Sequence, residues 1–180
     1  MNIETLAGKR GNPPTLSSPL TKALELGLAC PDDLRRLAIE RGCDYYSVES
    51  GPRPVGEVAL TNAELAVALL SPKLAFEPWN IRIGAAIMSA SDVKADDLVR
   101  LARAENCESL VRYIAECGKQ YEPENKSWDE LLSLLENVQV NRDGLPHPTR
   151  FIAMTGMIRG KTGLFTQWIR PGHSPGIQHR

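Results

Sequence analysis

No two cysteines of this 180-residue chain stand in a C-x-x-C pair. The four present, Cys30, Cys43, Cys107 and Cys117, are spaced widely and irregularly, and all three histidines (His147, His173, His179) lie from residue 147 onward. A structural zinc site needs close ligand pairs, so this pattern does not read as one. The cysteines read as small hydrophobes on helix faces or caps, with reduced thiols. No apolar run approaches the roughly 18 residues that a membrane helix needs, so no membrane partner is expected. The opening stretch MNIETLAGKRGNPPTLSS holds no apolar core of the secretory kind, and a cytoplasmic location is the expectation.

Acidic residues are nearly missing from one end. Residues 141–180 hold six basic residues (Arg142, Arg150, Arg159, Lys161, Arg170, Arg180) against Asp143 alone. Residues 1–140 hold 15 Lys/Arg against 21 Asp/Glu, which leaves the whole chain at −1. An acidic body with a basic end binds a polyanion or docks the end on the body.

What is present is a series of helix signals. Ser18 followed by Pro19 opens a first helix that is expected to run on to Cys30. Pro31 starts the next, with Asp32 and Asp33 at the positive end of its dipole and Gly42 at its close. Residues 44–60 then break the pattern as a long Pro- and Gly-rich connection, in which Tyr45 and Tyr46 read as cover for the core or as a ligand platform. Thr61 and Glu64 form a capping box, with Leu60 and Leu65 as its hydrophobic staple. Residues 65–70 are all apolar, so that helix and the one opened by Pro78 belong at the centre of the core. Helical patterns follow over 95–106 and 107–118, separated or kinked at Asn106 and ended by Gly118. Ser127 and Glu130 read as a second capping box, ahead of an apolar stripe of Trp128, Leu131, Leu132 and Leu135. Beyond Asn137 the helical period is lost. Two extended segments, about 151–158 and 164–170, are expected to join at RGKTG as a hairpin.

The expected fold is therefore mainly α, a single helical domain of about seven helices with a C-terminal β-hairpin-like extension. Residues 1–17 form a flexible lead, 18–137 the helical body, 138–170 a loop and basic hairpin, and 171–180 a disordered tail. One match suggests that a helical hairpin is used twice. DDLRRLAIERGC (32–43) and DDLVRLARAENC (96–107) share seven of twelve positions, and each follows another helix. The shared residues are first a pattern of caps and core.

Motifs that carry chemistry are few. GMIRGKTG (156–163) resembles a phosphate loop only in outline. The loop needs G-x-x-x-x-G-K-[ST], and here the first required glycine is Thr155. A simple turn or a weak anion site built on Arg159 and Lys161 is the expectation, with no cofactor. The paired acids Asp32–Asp33, Asp96–Asp97 and Asp129–Glu130 are sequence neighbours that do not face one another on a helix, so they read as first-turn charges. His147, between two prolines, has no nucleophile in a recognisable context beside it.

The leading functional expectation is a non-catalytic module that binds a protein or peptide. The alternative is nucleic-acid association through the basic end. There Arg150, Arg159, Lys161 and Arg170 would meet phosphates, and Trp168 would stack on a base. An enzyme with an unrecognised site ranks third.

Overall fold

A computed structural model describes residues 17–28, 30–43, 58–155 and 165–172. Among them the chain is mainly helical, with seven α-helices, one 3-10 turn and two short strands. The helices are α1 (Pro19–Glu25), α2 (Pro31–Glu40), α3 (Asn62–Leu69), α4 (Pro78–Met88), α5 (Ala95–Glu105), α6 (Glu108–Tyr121) and α7 (Lys126–Leu134). The 3-10 turn Pro148–Phe151 leads into β1 (Ile152–Thr155), which pairs antiparallel with β2 (Phe165–Trp168) in the register Ile152↔Trp168. Among the described residues, no helix is long and apolar enough to cross a membrane. The expected lead over residues 1–16, most of the 44–60 connection, the RGKTG turn and the tail from residue 173 lie outside the described residues.

Proline stands in the first turn of α1, α2 and α4, where its missing donor leaves no bond unmade. Ser18 caps α1 by accepting from the Thr21 N–H, and Thr61 and Glu64 close their capping box at the start of α3. Three expected boundaries move. First, α1 stops at Glu25 and does not reach Cys30, because Gly27 (φ +86°) turns the chain left-handed and returns the Leu28 N–H to the Ala23 carbonyl at 3.0 Å. Second, Gly118 does not end α6 but lies inside it. Third, α7 begins one residue earlier than the expected cap. Asn125 caps it by accepting from the Ser127 N–H at 3.1 Å, so Ser127 is in the first turn.

The 32–43 and 96–107 match resolves into one helix ending. Gly42 (φ +100°) and Asn106 (φ +60°) are both left-handed. The following Cys43 and Cys107 each donate a backbone N–H back to Ala38 and Ala102, both at 3.0 Å, and bury their side chains. Asp33 pairs with Arg36 at 3.4 Å and Asp97 with Arg100 at 3.0 Å, while Leu34, Leu37, Leu98 and Leu101 face the core. Most shared positions thus have the same local job; the first differs, since Asp32 pairs with Arg35 and the equivalent position after Asp96 is Val99. Around that shared helix the packing differs: α2 lies on α3 and α4, whereas α5 lies on α1, α3, α6 and α7.

Helix α3 occupies the centre, packed against α1, α2, α4 and α5 and buried on all sides from Leu65 to Leu70. Gly84 lets α4 approach it, since a Cβ there would lie 2.8 Å from Leu70 Cδ2 and 3.3 Å from the Ala66 carbonyl. A second packing centre is aromatic. Trp168 stacks on Phe151 with ring centres 5.4 Å apart and meets Trp128 at 5.1 Å, and Tyr113 meets Phe151 edge-on at 6.3 Å. The strand pair is thereby pinned to the helices by its own side chains.

Two residues of the basic end pair with acids of the helical body. Arg170 is paired with Glu122, and Arg142 with Glu116 at 2.8 Å. The chain then continues past β2, where the Gly172 N–H donates to the Gly42 carbonyl at 2.7 Å. Pro171 and Gly172, expected in a disordered tail, are therefore seated against the end of α2.

Candidate functional site

The connection between α3 and α4 is short and bracketed by Pro72 and Pro78. Between them Leu74, Ala75 and Phe76 have no helical or strand period to direct them inward. They form one wall of a cleft of about 310 Å³, completed by Ile81 of α4, Leu110 of α6 and Leu145. Asn106, Ser109 and Asn141 add polar groups to a lining that is otherwise largely apolar. Phe76 is 62% exposed, and nearby Trp79, in the first turn of α4, is 48% exposed. The Arg82 guanidinium lies 5.0 Å from the Trp79 ring centre, and its Nε donates to the Arg150 carbonyl at 3.0 Å.

The start of this connection is anchored by a buried carboxylate. Glu105, fully shielded from solvent, accepts from the Ser71 hydroxyl at 2.7 Å, the Leu20 N–H at 3.2 Å and Lys73 Nζ at 3.0 Å. Burial pushes its pKa up, but the donors from Ser18, Ser71, Lys73 and Leu20 outweigh that and hold it below the ordinary carboxylate value. The carboxylate therefore stays ionised and ties the Ser71–Lys73 turn to α1 and α5.

Asn80 differs from every other side chain of the cleft. It lines the cleft, is only 2% exposed, and neither its carboxamide oxygen nor its nitrogen has a hydrogen-bond partner. Buried amides are nearly always satisfied, and leaving one unpaired costs about 1–3 kcal/mol.

Chemistry of a catalytic kind has little to build on here. The ionisable residues of the lining are Glu77 and Cys107. Glu77 is paired with Arg35 at 2.9 Å. Burial, with Glu105 and Glu108 nearby, pushes the Cys107 thiol up to about 12, so it carries no thiolate at neutral pH. His147 accepts the Thr149 N–H at the start of the 3-10 turn, which is a capping role. Among the described residues, no group of His, Cys, Asp or Glu is arranged to hold a metal ion. A broader groove between α5 and α7 is lined by Lys94, Asp96, Asp129 and Glu130, and Asp129 there is paired with Lys119 at 2.8 Å.

Of the residues expected to meet a nucleic acid, Arg150, Trp168 and Arg170 are among the described residues. Trp168 is 1% exposed and donates its indole N–H to the Ala85 carbonyl at 3.4 Å, so it belongs to the core and offers no face to a base. Arg170 is engaged by Glu122. Arg150 is exposed on the 3-10 turn, while Arg159 and Lys161 lie outside the described residues. The sequence reading passed over Phe76, Trp79 and Asn80. The available signal was SPKLAFEPWN itself, in which bulky apolar residues sit between prolines with no periodic partner.

No family model, no curated protein and no solved structure matches the chain. The functional reading therefore rests on this geometry.

Proposed function

We propose that the protein is a non-catalytic interaction module that seats an apolar segment of a partner protein in the cleft between the α3–α4 connection and α6. The observation that carries this reading is the exposure of Phe76 (62%) at the cleft, with Trp79 (48%) close to it in sequence, against 1% for Trp128, Trp168 and Phe151. Large aromatic side chains left at the surface beside an apolar concavity are what protein interfaces use as anchors. Arginine stacked on tryptophan adds a residue pair enriched among such anchors. The polar rim of Asn106, Ser109 and Asn141 fits the same plan. The four cysteines are unpaired in the fold, which supports a reducing, cytoplasmic setting.

The test is selection from a random peptide library on the intact protein, with each selected peptide then measured against Phe76→Asp. The expected outcome is a set of peptides sharing an apolar anchor, bound about tenfold or more weakly by the variant. A selection that yields no shared anchor, or peptides indifferent to Phe76→Asp, contradicts the proposal.

A further inference from the structure

We infer that the cleft recognises the peptide backbone as well as an apolar side chain, and that Asn80 is the residue that reads it. This rests on the reading of the cleft as a docking site and names what occupies it: an extended segment of a partner protein, entering with one bulky apolar side chain and that residue's own amide.

Asn80 carries a primary carboxamide into the lining of the cleft. A primary carboxamide offers an acceptor oxygen and a donor nitrogen on one rigid plane. In this cleft both are shielded from solvent and both lack a partner. An apolar residue at position 80 would fill the same wall of α4 without that cost, as Ile81 and Ile83 do beside it. The polar choice therefore has a use that the free fold does not show. An extended residue matches it, because its own N–H and C=O, from two successive peptide groups, point to one side, the first donating and the second accepting. To meet it, the carboxamide must rotate about the Asn80 side-chain bonds toward a segment seated beside Ile81, Leu110 and Phe76, which line the same cleft.

A hydrocarbon or a fatty chain satisfies the apolar wall but not the carboxamide. A partner held only by charge satisfies neither. The cleft volume of about 310 Å³ is at the lower end of the range for small-ligand sites, the right size for one residue and its flanking peptide groups.

The test uses three small probes on the full chain, followed by nuclear magnetic resonance. They are N-acetyl-leucine N-methylamide, the ester in which an oxygen replaces the leucine N–H (2-acetoxy-4-methylpentanoic acid N-methylamide), and a branched hydrocarbon of the same side-chain shape. The amide is expected to bind several-fold more tightly than the ester, to bind more tightly than the hydrocarbon, and to shift the Asn80 side-chain NH₂ signals. In Asn80→Leu the preference for amide over ester should vanish, while the melting temperature stays level or rises because an unpaired buried amide has gone. The comparison of probes on the wild-type protein stands even if that variant folds poorly. If all three probes bind equally well at the cleft, the backbone-reading inference falls and the apolar docking site survives. If none binds there, both fall. If Asn80→Leu is strongly destabilised and the amide preference is absent from the wild type, Asn80 is a structural residue and the inference is overturned.

Discussion

Trp128 and Trp168 are each 1% exposed, and each indole N–H has an acceptor, Glu122 for the first and the Ala85 carbonyl for the second. Trp79 and Phe76, on the other side of α4's sequence, are 48% and 62% exposed, and the amide beside them at Asn80 has no partner. In the first region one carboxylate gathers several polar groups: Glu122 accepts from Trp128 and Asn125, both at 3.0 Å, and pairs with Arg170. That region is complete without a ligand. In the second the apolar rings face outward and hydrogen-bonding capacity is left over. The same residue types stabilise a fold where their rings are enclosed, and present a surface where they are not.

The largest effect that could break this comparison belongs to Gly118. On propensity alone, alanine at a helix-interior glycine should stabilise by about 1 kcal/mol. Here a Cβ would lie 2.4 Å from the Trp128 ring, which is packed on both Gly118 and Trp168. Steric cost wins, and Gly118→Ala is expected to lower the unfolding free energy by about 3 kcal/mol, read from its denaturant midpoint. A variant as stable as the wild type would mean the aromatic centre is loosely built.

Acid comes next. In Glu64, Glu105 and Glu122, burial pushes the pKa up, but the donors around each carboxylate outweigh it, so all three lie below their ordinary 4.5. The unfolded chain then binds more protons than the fold at mildly acidic pH. Their contribution is present above the ordinary value and is lost as pH falls from there through the lowered folded values. Glu122→Gln should cost about 2 kcal/mol at pH 7, by weakening charge-assisted bonds, and should flatten the acid limb of a stability–pH curve. An unchanged limb would remove Glu122 from the account. The smallest effect is expected at Phe76. Phe76→Asp should change stability by no more than about 0.5 kcal/mol, because the ring is mostly in water. A large loss in thermal melting would make Phe76 a structural residue.

Much of the fold was legible because its signals are local. Ser18–Pro19, Thr61 with Glu64, and the left-handed Gly42 each settle a helix end within a few residues. The misplaced boundaries turn on partners distant in sequence or on competing caps. Gly118 stays helical and is packed beneath a tryptophan ten positions on, and Asn125 reaches the α7 start ahead of Ser127. The candidate site was less legible. Basic residues and aromatics interleaved at the C-terminal end suggested a polyanion surface, yet Trp168 is drawn inward by Phe151 and Trp128, and Arg170 by Glu122. Pattern shows which side chains are apolar. It does not show which of them find room in a core already filled, and Phe76 and Trp79 are among those left out.

The most direct measurement is the map of amide signals that move when a library-selected peptide is titrated into the isotopically labelled protein. The account predicts that they cluster on residues 69–81, Asn106 to Leu110 and Leu145, with the Asn80 side chain among them. Shifts centred on Arg150 and the β1–β2 pair, or shifts spread over the whole surface, would contradict it.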